Sequence, residues 1–170
     1  MTIGNIAILF FSIAIIFFLR WLLLQPKKYK NMDQEKINKF LNILLKRGLH
    51  GGVLVIKIPN TKMFIQFKKY VEDEKIGLSL DFPKAPWSNN YYDMVKKLII
   101  DNQISTEIIN QLDVNIKRKV TEFLIADFER NIFAAFDIAK KIINHIYAYD
   151  SSKPVTMYFI RINPLDEWTK

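Results

Sequence analysis

Residues 53–82 read VLVIKIPNTKMFIQFKKYVEDEKIGLSLDF, and this stretch decides the fold class. Val53–Ile58 is almost wholly apolar, as a central strand requires. Pro59-Asn60-Thr61-Lys62 carries turn chemistry, and Met63–Val71 reads as a second strand. Glu72-Asp73-Glu74 makes an acidic turn. Ile76–Phe82 then alternates, with Ile76, Leu78, Leu80 and Phe82 on one side and Gly77, Ser79 and Asp81 on the other. Links this short join antiparallel neighbours, so the three runs read as a meander.

Helical patterns flank it. Ile37, Phe40, Leu41, Leu44 and Leu45 form one apolar stripe and predict a helix over 33–47. Asp33 is placed to cap it, Met32 and Ile37 to staple it, and Gly48 to follow its last turn. Beyond the meander, Pro83 and Pro86 break the chain. Ser88 then caps a predicted helix through about Asn102, with Tyr91, Val95, Leu98 and Ile99 inward. A short helix is expected at 106–113. Residues 119–148 lack Gly and Pro, and Val120, Leu124 and Phe128 recur four apart ahead of a stripe from Ile132 to Ile146. One long helix, or two sharing a kink, is the favoured reading. The β-branched and aromatic content of Lys119–Phe128 also suits a strand. Val155–Ile162 reads as a last strand. The expected fold is α+β: an antiparallel sheet of about four strands packed with three to four helices.

The N-terminal stretch adds a second expectation. Residues 3–24, IGNIAILFFSIAIIFFLRWLLL, hold a single charge, Arg20. As a helix they rise ~33 Å, enough for a hydrocarbon core of ~30 Å. They are expected to form a transmembrane helix, followed by a basic juxtamembrane linker at 25–32 and an α+β domain at 33–170. No base precedes the span, whereas Lys27, Lys28 and Lys30 follow Arg20. The positive-inside rule then gives a single-pass protein with its N-terminus outside and its domain cytoplasmic. Arg20, Trp21, Lys27, Lys28, Tyr29 and Lys30 are the expected contacts with the lipid bilayer.

Composition narrows the function classes. The chain carries 25 Lys and Arg against 17 Asp and Glu, a net +8. Four of those bases lie in residues 1–32 with no acid, so residues 33–170 carry only +4. The basic clusters Lys68-Lys69-Tyr70 and Lys117-Arg118-Lys119 are scattered, and Glu72-Asp73-Glu74 follows the first. That distribution argues against a nucleic-acid partner. The chain has no cysteine, which excludes disulfides and thiol chemistry.

No catalytic signature stands out. Gly48-Leu49-His50-Gly51-Gly52 runs from a helix to a strand, the reverse of a phosphate loop. His145 lies in line with Asp137 and Lys141 on a polar helix side, and no His–carboxylate spacing suits a metal. Asp127 has Arg130, and Asp137 has Lys140 and Lys141, at ion-pair spacing on the predicted helix. No cofactor or metal site is expected. The aromatic residues outside the core pattern are Trp87, Phe133 and Trp168, the candidate partner contacts. The expected function is a membrane-anchored protein-binding domain: an adaptor, an accessory subunit or an inhibitor. A tethered enzyme with an unrecognised site is the alternative, ahead of a tethered nucleic-acid binder.

Overall fold

Antiparallel pairing dominates the molecule. A computed structural model of the chain describes residues 26–113 and 119–162. The elements in order are β1 (Lys27–Met32), α1 (Lys36–Arg47), β2 (Gly48–Lys57), β3 (Phe64–Glu72), β4 (Lys75–Pro83), α2 (Asn89–Asp101), β5 (Ser105–Asp113), β6 (Lys119–Asp127), α3 (Ile132–Lys141), a π-helical turn (Ile142–Ile146) and β7 (Val155–Ile162). The strands form one seven-stranded sheet in the order β1-β7-β2-β3-β4-β6-β5. Every neighbouring pair in it is antiparallel.

One face of this sheet makes the core. Leu54, Phe67, Leu80 and Ala126 share a row across β2, β3, β4 and β6, and all are fully buried. The amphipathic helices close over that face. Ile37, Leu41 and Leu44 of α1, Val95 and Ile99 of α2, and Ala135, Ile138 and Ala139 of α3 join the sheet residues in a single apolar cluster. Phe40 of α1 stacks on Phe159 of β7, with ring centroids 5.2 Å apart. Gln34, 1% exposed, donates through Nε2 to the carbonyls of Asp150 and Lys153, tying the entry of α1 to the loop before β7.

The expected α+β fold with about four strands is corrected: the sheet has seven strands and, among the described residues, three α-helices accompany it. Residues 106–113, expected as a short helix, lie in β5, which pairs along its whole length with β6. Residues 119–148, favoured as one long helix or two sharing a kink, form strand β6, helix α3 and the π-helical turn. Asp127 breaks the chain by accepting the Glu129 N–H at 2.8 Å, Glu129 adopts φ 49°, and the Asn131 side chain then caps α3 by accepting from Ala134 N–H. Asp127 therefore works in a turn, away from any helical ion pair with Arg130. Lys141 does meet Asp137, at 2.7 Å, while Lys140 pairs with Glu35, the residue just before α1.

Local details of the predicted ends also shift. Asp33 accepts the Glu35 N–H at 2.9 Å and starts the turn that leads into α1. Gly48 is extended, at φ −62° and ψ 140°. It is required for space: a Cβ there would lie 2.4 Å from the Leu44 carbonyl oxygen. His50 sits within β2, where its Nδ1 accepts the Val71 N–H at 3.1 Å.

The single-pass membrane expectation is corrected as well. Among the described residues no helix is long and apolar enough to cross a membrane. Residues 3–24, to which the span was assigned, lie outside the described residues, as do Arg20 and Trp21. Lys27, Lys28, Tyr29 and Lys30, expected in a juxtamembrane linker, belong to β1, in which Lys27, Lys28 and Tyr29 pair with β7. The Tyr29 ring stands edge-on to Phe40 and Phe159, and burial raises its hydroxyl pKa. The placement of the domain in the cytoplasm rested on the span and falls with it.

Candidate functional site

The second face of the sheet carries none of the three helices, and its side chains fall in three rows across the strands. The first row runs Val53, Lys68, Ser79, Asp127 and Ser105. The second holds Tyr158, Val55 and Gln66 on one side and Asp81, Ile125 and Glu107 on the other. The third holds Lys57 and Phe64, then Pro83, Phe123 and Ile109. This is the face that Gly77, Ser79 and Asp81 mark on β4 by alternation. Its apolar members are half-buried, in contrast to the fully buried centre of the core face.

Two hollows lie on it. The larger, about 470 Å³, is lined by Lys68, Tyr70, Ser79, Asp81, Phe123 and Asp127 among others. The smaller, about 430 Å³, lies over Val55, Lys57, Phe64, Gln66 and Trp87. Gln66 borders the smaller and falls beside Asp81 of the larger as the β3–β4 register continues, so the two share one surface.

The polar groups of the larger hollow hold each other in place. The Tyr70 ring lies across Gly77, where a Cβ would stand 2.2 Å from its hydroxyl oxygen. That hydroxyl donates to Asp127 Oδ1 at 2.7 Å. Burial and the neighbouring carboxylates Asp127, Glu129 and Glu72 push the Tyr70 pKa far up, so it stays a neutral donor. Asp81 accepts from the Ser79 hydroxyl at 2.8 Å. Burial raises the Asp81 pKa, while the Ser79 bond and the Lys68 charge pull it back. No cluster of three metal-ligating side chains occurs among the described residues. The arrangement offers a neutral phenol, two carboxylates at diagonal cross-strand positions, an amide and an exposed lysine above an aromatic and aliphatic floor. It suits binding of a mixed polar and apolar surface.

The three aromatic candidates fare differently. Trp87 sits at the end of this face, half-buried, with its ring 4.6 Å from Phe64 and 6.1 Å from Phe82. Its loop is fixed by Ser88, whose hydroxyl donates to the Pro83 carbonyl and accepts the Ala85 N–H. Phe133, 76% exposed, projects from the first turn of α3 on the helix side. It follows the C-terminal end of β6, which lies beside the start of β4, whereas Trp87 follows the end of β4. The two therefore belong to opposite ends of the strands and form no common patch. Trp168 lies outside the described residues. Sequence reasoning passed over Tyr70, Ser79, Asp81 and Phe123. The small and polar alternate positions of β4 were the signal for two of them, because a strand's second face is read from the residues its first face leaves out.

No protein family, curated protein or solved structure matches the chain.

Proposed function

We propose that the protein is a protein-binding domain, serving as an adaptor, an accessory subunit or an inhibitor, and that a partner docks on the uncovered sheet face. The observation that supports this reading is a set of half-buried apolar side chains in two adjacent rows of the sheet, Tyr158, Val55 and Ile125 in one and Phe64, Phe123 and Ile109 in the next, with Gln66 and Asp81 set among them and Lys68 and Glu107 beside them. Apolar side chains interleaved with hydrogen-bonding groups suit a docking surface. Trp87 is its proposed anchor, since a large aromatic pinned by a fixed loop loses little entropy on binding.

Photo-crosslinking in the source cells tests the reading. A photoreactive residue replacing Phe123 or Tyr158 should yield one shared adduct, and the same probe at exposed Lys39 of α1 should not. Trp87→Ala should weaken capture of that adduct's partner about 30-fold, near 2 kcal/mol for a true anchor, with the folded spectrum unchanged. Phe133→Ala probes the second aromatic. If it weakens capture while Trp87→Ala does not, the partner sits on the helix side and the reading of the open face is lost.

A further inference from the structure

The sheet has two edges, and they are built in opposite ways. β1 is six residues long, follows Pro26 and carries Lys27, Lys28 and Lys30. Its register with β7 breaks between Tyr29 and Met32, where Asn31 takes φ 53°. A short length, lysines, a flanking proline and an irregular register all blunt an edge against further pairing. β5 has none of these. Its nine residues, STEIINQLD, contain no Lys, Arg or Pro and hold nine consecutive pairs with β6. Among the described residues no strand pairs with its outer side.

An apolar patch adjoins this edge on the helix side. Ile108 of β5 is 44% exposed and Val120 of β6 is 55% exposed, both on the alternation that puts Leu124 and Ala126 in the core. Ile100 of α2, which packs beneath β5, is 53% exposed. On α2, Tyr91 faces the π turn and meets Tyr147 edge-on, while Ile100 lies on the opposite flank, beyond the buried Ile99. Ile100 therefore borders the β5 edge.

We infer that β5 is a self-pairing edge through which two copies of this chain join into one continuous antiparallel sheet. Three observations favour a second copy over another strand. Antiparallel pairing of 105–113 with itself overlaps all nine residues when the two-fold axis passes Ile109, and this register keeps both sets of helices on the same side. In it Glu107 falls opposite Gln111 and Ser105 opposite Asp113, so no charge meets its like. A lone peptide strand would satisfy the backbone of β5 but leave Ile100 bare, whereas a second copy brings its own α2 to the axis and covers Ile100 and Ile108 together. Such a contact is isologous and closes at two. It leaves the uncovered face free and does not depend on the partner proposed for that face.

Sedimentation equilibrium of the full-length chain, with no partner added, should give the mass of two copies. The chain has no cysteine, so Ile109→Cys introduces a single thiol beside the axis. Mild oxidation should then link the copies covalently, and Lys30→Cys on the β1 edge should stay unlinked. Ile108→Lys places a charge at the axis, and should halve the mass and abolish the Ile109→Cys crosslink while the circular dichroism spectrum is retained. A monomeric parent overturns the inference, as does a dimer that Ile109→Cys fails to link or that Lys30→Cys links equally well. A ladder of species larger than two also overturns it, and points to β5 pairing with the lysine-rich β1 of the next copy. If Ile108→Lys unfolds, the two cysteine variants decide the matter between them.

Discussion

The two faces of the sheet share seven strands and one backbone, yet they are made for different tasks. The helix-covered face is apolar on nearly every alternate residue, and through its centre the side chains are excluded from water. The uncovered face places Lys68, Ser79, Asp81 and Asp127 among Val55, Phe64, Phe123 and Ile125. Burial on the first face supplies stability, at roughly 25 cal/mol per Å² of apolar surface removed from water. The second face keeps apolar area and hydrogen-bonding groups within reach of solvent, as the docking proposed for it requires. The difference is set by a period of two. A single residue inserted into β4 would exchange the two sets, bringing Asp81 to the core and Leu80 to the surface.

The largest effects should separate the faces most clearly. Phe67 is fully buried between β2 and β4 and packs 5.9 Å from the Phe128 ring. Phe67→Ala should cost about 3–5 kcal/mol in urea unfolding, because it removes transfer energy and leaves a cavity. Phe123→Ala, on the other face, should cost about 1 kcal/mol, since its ring keeps part of its hydration in both states. Equal losses would show that the uncovered face is a second core, and the division drawn between the faces would fail.

A smaller effect tests how the uncovered face is organised. Gly77→Ala places a methyl against the Tyr70 ring, which must then leave Asp127. The expected loss is about 1–2 kcal/mol, from steric strain and a broken hydrogen bond. In a Tyr70→Ala background the same substitution should cost nearly nothing, and the double-mutant cycle measures the coupling. Additive losses would mean that Tyr70 does not rest on Gly77 in solution.

Much of this architecture is legible in the sequence, and the unreadable parts have physical reasons. Β-strand alternation from Ile76 to Phe82 and the turn at Pro59-Asn60 reveal the meander, because both signals are local. β1 is hidden because KKYKNM gives only Tyr29 and Met32 to the core, and its strand state comes from pairing with β7, more than a hundred residues away. β6 is hidden by arithmetic. Val120, Leu124 and Phe128 are four apart, and four is both one helical turn and two strand repeats. Residues 105–113 mislead in the same way, since Ile108, Ile109 and Leu112 fit a helical stripe. The break at Glu129 uses Asp127 and a positive φ where no Gly or Pro announces it. The site was half legible: Trp87 stood out as an unplaced aromatic, whereas Tyr70 and Phe123 look like ordinary strand residues until the rows are assembled. Val155–Ile162, read as a last strand, is interior to the sheet, with β1 on one side and β2 on the other.

The smallest effect concerns proton binding on the uncovered face, and its sign distinguishes burial from pairing. Burial raises the folded pKa of Asp81 above its unfolded value, against the Ser79 hydroxyl and the Lys68 charge. Above the unfolded carboxyl value of about 3.9, the unfolded chain releases a proton that the folded chain retains. The Asp81 contribution to stability is therefore fully present below that pH. It is lost as pH rises from there through the raised folded pKa, and it is constant beyond. Asp81→Asn fixes the group in its neutral form, so the variant should match the parent in acid and exceed its stability at neutral pH. Urea midpoints of both proteins across that window measure the difference. A difference that does not vary with pH would show that Asp81 is as well solvated folded as unfolded, and the hollow around it would be open water. A parent that gains on Asp81→Asn as pH rises would show instead that Ser79 and Lys68 outweigh burial. The uncovered face would then hold a preformed carboxylate, which suits a basic side chain on the partner better than a neutral one.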